Sequence, residues 1–146
     1  MARRSRSTLP DGVFHVTSRG VAGSSIFLDD VDRRRFNALL AETIARFRWL
    51  CHVHCQMGTH YHFVVDTLRE RLSDGMHHLN GQYASRFNRR HTRRGHLFEN
   101  RYSAWVVLDD RHFENTLDYV LDNPVRAGLV PRRDDWLWSG RGGPQP

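Results

Sequence analysis

The stretch that most constrains this chain is Leu50 to Asp66, LCHVHCQMGTHYHFVVD, in which two short apolar runs flank a tight turn at Gly58-Thr59. Such a pattern predicts a pair of adjacent β-strands. Successive side chains on a strand leave opposite faces, so His60 and His62 share one face while Tyr61, Phe63 and Val65 share the other. Two imidazoles so placed are close enough to grip one metal ion. The pair decides little alone. Ten histidines in 146 residues give roughly one His-x-His match by chance, and His52-Val53-His54 is a second. Exposed polar residues on a half-buried strand satisfy the same pattern. The surroundings must discriminate.

Val13 to Arg19 alternates well enough for a first strand, ended by Gly20. His15-Val16-Thr17 resembles half of a two-histidine phosphoesterase motif. The other half would have to be His91-Thr92, which lacks the spacing, so His15 reads as a polar strand position. Asp29-Asp30 can cap a helix from Val31 to Arg48 whose buried stripe is Phe36, Leu39, Leu40, Thr43 and Phe47. A second helix, about Leu72 to Asn88, carries Leu72, Met76, Leu79, Tyr83 and Phe87 at helical spacing. A further strand is expected over Arg101 to Leu108. Asp109-Asp110 then caps a third helix to about Asn123, which Pro124 helps to terminate. The order strand, helix, strand, strand, helix, strand, helix predicts an α+β fold: a ferredoxin-like antiparallel sheet with helices packed on it. We expect a flexible basic arm over residues 1–11, one domain over 12–139 and a disordered Gly/Pro-rich tail over 140–146.

Charge narrows the partners. The chain has 22 basic residues against 16 acidic, and every basic one is arginine. Encoding bias in a GC-rich genome can explain the missing lysines, but not the net charge of +6 or its clustering. A basic protein seeks a polyanion, and guanidinium groups suit phosphates and bases. Arg86, Arg89, Arg90, Arg93 and Arg94 crowd nine residues and are flanked by Phe87, Phe98, Tyr102 and Trp105. A charge run is often only a solvated loop; cations beside stacking surfaces are the usual equipment for single-stranded nucleic acid. Arg3, Arg4, Arg6, Arg19 and Arg101 complete the expected DNA-binding set. No apolar run reaches membrane-spanning length and no leader follows the basic start, so a cytoplasmic protein without membrane contact is expected. Cys51 and Cys55 are expected on one strand face, too far apart to bridge.

The third helix is the most discriminating element. Its apolar stripe is Phe113, Leu117, Val120 and Leu121. Tyr119 falls roughly 145° from the centre of that stripe, with His112, Thr116 and Asn123. A core tyrosine would sit on the stripe. Tyr119 is therefore expected to present its hydroxyl elsewhere; a plain surface tyrosine fits equally well. The faces of Tyr102 are not separable from the sequence.

Met57-Gly58-Thr59-His60-Tyr61-His62, Gly95 to Ser103 (GHLFENRYS) and Tyr119 to Val130 (YVLDNPVRAGLV) together resemble the REP-associated tyrosine transposases of the single-tyrosine HUH superfamily. Phe14 to Gly20 and Trp136 to Ser139 also fit, so the likeness covers nearly the whole chain. The family usually has Pro-Asn where this chain has Gly58-Thr59. The resemblance implies a transposase-like enzyme that cuts and rejoins single-stranded DNA next to hairpins through a 5′-phosphotyrosine. By position, it implies Tyr119 as nucleophile and His60 and His62 as ligands of a divalent metal. Asn123 is the match for a third ligand where classical members carry glutamine; Asp122 is the alternative. Nitrogen and oxygen donors suit Mg²⁺ or Mn²⁺. His112 is a candidate helper in deprotonating Tyr119. Single-stranded or hairpin DNA is the implied partner, with the protein acting as a monomer or a homodimer.

Two other readings compete. A domesticated, non-catalytic DNA- or RNA-binding regulator needs the basic surface but not Tyr119. A structural zinc protein would use Cys51, His52, His54 and Cys55, though alternation sets the cysteines opposite the histidines.

Overall fold

The computed structural model describes residues 11–145. The arm with Arg3, Arg4 and Arg6 lies outside the described residues. Five strands form one sheet: β1 (Gly12–Arg19), β2 (Leu50–Gln56), β3 (His60–Thr67), β4 (Ser103–Val106) and β5 (Ser139–Arg141), in the order β4-β1-β3-β2-β5. Every pairing is antiparallel. With α1 (Asp30–Arg46) and α2 (Arg69–Arg90) as crossovers, the first four strands make the expected ferredoxin-like βαββαβ arrangement. A third helix, α3 (Asp110–Arg126), follows β4.

Alternation along the strands builds two unequal layers. On one face Phe14, Val16, Tyr61, Phe63 and Val65 meet Phe36, Leu39 and Leu40 of α1 and Leu72, Met76 and Leu79 of α2 in one continuous core. On the other, Leu117, Val120 and Leu121 of α3 cover Val53 and Cys55 of β2 and Val64 of β3. The α3 packing is thus confined mainly to β2 and β3. Tyr102 falls in the larger core.

Three expectations are corrected. First, β2 contains a bulge: Cys51 pairs with Val65, but Val53 pairs with Val64. The extra residue reverses the alternation, so Cys51 joins the α1/α2 core while Cys55 lies under α3. Both thiols are free, and burial pushes each up to about 12. The proposed zinc tetrad is therefore split: His52 packs on Phe113 of α3, whereas the ring of His54 hydrogen-bonds the Gly142 carbonyl.

Second, residues 139–141 of the supposed tail boundary are a strand. β5 pairs with the outer edge of β2, satisfying backbone groups that would otherwise face solvent. Gly143 follows at a close approach, since a Cβ there would stand 2.8 Å from Ile44 Cδ1. Glycine composition that reads as disorder here permits docking. Third, Pro124 does not end α3. The helix runs on to Arg126 and stops at Gly128 (φ 74°). There Leu129 N donates to Pro124 O and Gly128 N to Val125 O, a glycine-terminated cap. Proline removes only its own N–H from the ladder. Thr116 keeps the expected face, lining one cavity with His112 and Tyr119, but is buried there, its hydroxyl donating to His112 O.

Candidate active site

The last two turns of α3 lie over the start of β3. Tyr119, Asn123 and Arg126 follow at intervals of four and three, which places them on one helix face. The Tyr119 ring centroid is 6.0 Å from those of both His62 and His15, and the residue is 50% exposed, so its ring is open to a ligand. Arg126 lies 4.3 Å above the same ring and donates to Tyr119 O at 2.6 Å. The half-turn of helix beyond Pro124 is what places it there.

The nitrogens of the two β3 histidines are used asymmetrically. His60 Nδ1 contacts Thr59 Oγ1 at 3.0 Å, and His62 Nδ1 contacts His15 Nε2 at 3.0 Å. Both Nδ1 atoms thus have partners, leaving the Nε2 atoms for another role, with the rings 5.0 Å apart. Asn123 Nδ2 stands 2.9 Å from His62 Nε2, and turning the amide over would present Oδ1 at the same place. Two donors at right angles, each about 2.1 Å from a cation, stand about 3 Å apart, so the spacing suits neighbouring ligands of one octahedral ion. Among the described residues no three His, Cys, Asp or Glu side chains form a metal-holding group. Two imidazoles and the Asn123 amide are the donor set that fits.

Burial keeps the imidazoles unprotonated. It lowers His60 to about 4, helped by Arg19, and His15 to about 4, helped by His112. His62 is held well below the usual range, first by burial and then by His15, His60, Arg19 and Arg126. Neutral rings have lone pairs ready for a metal at pH 7. A neutral His15 can accept the His62 Nδ1–H and so orient that ring, as outer-shell partners of metal-binding histidines do.

Not every expected residue gathers here. The carboxylate of Asp122 is held by Arg133 Nε and Nη2 at 2.8 and 2.7 Å, which removes the alternative third ligand. His112 Nδ1 accepts from Leu108 N at 3.0 Å, and Arg126, not His112, stands over the tyrosine ring. Of the arginines, Arg19 pairs across the sheet from His60 and lines a cavity with Arg101. Arg86, Arg89 and Arg94 are exposed. Arg90 instead forms ion pairs with Asp29 and Asp32, each at 2.7 Å. Arg93 closes its own loop by donating to Asn88 Oδ1 and to the carbonyls of Gly95 and His96. Sequence reasoning missed His15, whose partner is 47 positions away. The signal was available: Phe14 and Val16 enter the core, so His15 must face the histidine side. Arg126 was readable as the residue two turns beyond Tyr119.

Residues 13–123 match the family described as "Transposase IS200 like". The chain belongs to the IS200-like transposase family. A Haemophilus influenzae protein described as a REP-associated tyrosine transposase is 35% identical over 52 residues. That alignment covers 36% of this chain and only 30% of the relative's length. A solved structure of a REP-associated tyrosine transposase bound to a REP hairpin superposes with a TM-score of 0.75, over 95% of this chain and 82% of that one. At 15% identity this shows a shared fold. The family match agrees with the resemblance carried by the motifs around His60, Tyr102 and Tyr119, and the superposition agrees with the expected ferredoxin-like sheet.

Proposed function

We propose that this protein cuts and rejoins single-stranded DNA beside a hairpin through a covalent Tyr119 intermediate. The observation that carries the reading is the meeting of Tyr119, Asn123 and Arg126 on α3 with His62 on β3. All belong to one chain, so a single copy supplies the whole set. His60, His62 and Asn123 would hold a Mg²⁺ or Mn²⁺ ion, and a bound divalent cation supplies charge stabilisation to the scissile phosphate.

The chain's own residues supply the rest. Tyr119 Oη loses its proton and attacks phosphorus; the bond to the 3′ oxygen breaks, and that oxygen leaves as a hydroxyl. The product is a 5′-phosphotyrosine. Attack by another 3′-hydroxyl reverses the step, so the covalent link conserves the bond and no nucleotide cofactor is needed. Arg126, already over the ring, offsets negative charge on the phenolate and the phosphate. His15 holds His62 with Nε2 toward the substrate side. Arg19 and Arg101 are placed to take the backbone phosphates on either side.

The test is incubation with a panel of hairpin-bearing single-stranded oligonucleotides and Mn²⁺, followed by a denaturing gel. The expected result is a covalent protein–DNA band that is absent with Tyr119→Phe and absent in EDTA. An unchanged band in Tyr119→Phe refutes the nucleophile. Binding with no band in the unaltered protein favours the non-catalytic regulator.

A further inference from the structure

The sheet face that carries the histidines is only half covered. Below α3, β2 and β3 are sealed by Leu117, Val120 and Leu121; the β1 and β4 half opens into a cavity of about 560 Å³. His15, Trp105 and Tyr119 line it together with Asn115 of α3, and Arg19 and Arg101 stand at its edge. The pairing explains the composition. His15 lies opposite Trp105 and Thr17 opposite Ser103, so the side chains facing this space are polar or aromatic instead of aliphatic. The indole of Trp105 is partly exposed beside the His15 ring, 5.6 Å between centroids. The chain from Leu97 to Glu99 is strapped along the end of β1 by Val21 N to Leu97 O and Glu99 N to Arg19 O, just ahead of Arg101 in the cavity lining.

We propose that this cavity holds the base of a nucleotide next to the scissile phosphate, stacked on Trp105. The assignment rests on the strand-transfer reading for its location and deepens it by naming what occupies the space beside Tyr119. A sheet face bearing a half-exposed indole is a stacking platform, and stacking tolerates any base because each has a π-face. Asn115 offers a donor and an acceptor on one side chain, the pair that meets a base edge. Arg19 and Arg101 bracket the opening where phosphates of the same strand must pass. The volume lies within the roughly 300–1,000 Å³ usual for pockets that take small organic groups.

Two fluorescein-labelled oligomers with equal numbers of phosphates separate stacking from charge: a thymidine decamer and a fully abasic decamer, compared by anisotropy. The unaltered protein should prefer the thymidine decamer. Trp105→Ala should reduce that preference by roughly tenfold or more and leave abasic binding unchanged; Trp105→Phe should keep most of it. No preference in the unaltered protein, or an undiminished one in Trp105→Ala, overturns the proposal. A second measurement needs no variant: 4-thiothymidine in the decamer should photocross-link to β4 or to the Asn115 turn, and cross-links confined to other surfaces also overturn it. Neither readout involves cleavage, so loss of the phosphotyrosine reading through an absent covalent band would be seen separately.

Discussion

The two faces of this sheet are made by the same strands and do different work. Toward α1 and α2, Phe14, Val16, Phe63 and Val65 are wholly buried and Tyr61 donates to Asn80 Oδ1 at 2.6 Å; at the end of β3 the Thr67 hydroxyl is buried without a partner among the described residues. Toward α3, the alternate positions are His15, Thr17, His60 and His62 beside the apolar Val64, and one helix covers only part of the surface. Alternate residues on one strand therefore divide stability from chemistry. The polyanion proposed for this face needs it left open, and the fold tolerates the opening because the opposite face carries the larger apolar core.

The sharpest way to break this comparison is to change neighbours on β3. Phe63→Ala should lower unfolding free energy by about 3–5 kcal/mol, measured by urea titration. His62→Ala should lose covalent adduct by more than the 10–100-fold typical of an outer-shell partner, with a smaller stability change than Phe63→Ala. Equal stability losses would mean that the two faces are not divided as described.

A pH series sharpens the same contrast. His15 and His60, with their pKa values lowered from 6.5 to about 4, stay neutral in the native state while the unfolded chain protonates. The unfolded state thus binds more protons between pH 6.5 and 4. Stability is full above that window and falls as pH drops through it, by up to about 1.4 kcal/mol per pH unit for His15 and by less for the partly exposed His60. Urea midpoints that stay flat from pH 6.5 to 5 would show that the open face leaves these rings solvated.

The smallest expected effect lies in the outer shell. His15→Ala should weaken Mn²⁺ binding by about 10–100-fold, followed by calorimetry on the protein without DNA, and His15→Asn should recover part of it. Unchanged affinity would reduce His15 to a lining residue.

Local pattern made much of this legible. Period-two and helical spacing located β1 to β4 and all three helices, and the helical wheel turned Tyr119 away from the α3 packing stripe. The features that escaped depend on partners distant in sequence. A bulge at His52 has no sign in LCHVHCQ, yet it sends Cys51 and Cys55 to opposite sides. Arg90 and Arg93 look like ligands for phosphate until Asp29, Asp32 and Asn88 are brought to them. Asp122 and Asn123 are adjacent and both carry metal-ligating oxygens; Asn123 reaches His62, whereas Arg133, folded back from beyond the helix, holds Asp122. Gly143, just beyond β5, lies against Ile44 of α1, a constraint invisible without the neighbour.

Because Tyr119, Asn123 and Arg126 ride on one rigid cylinder seated on Leu117, Val120 and Leu121, they register with His62 together or not at all. A slide of α3 along its axis by one helical rise per turn, about 5.4 Å, would uncouple the proposed nucleophile, the amide and the guanidinium in a single movement. The greasy underside of that helix is therefore a lever on the proposed reaction, reachable by substitutions away from the proposed DNA-binding face.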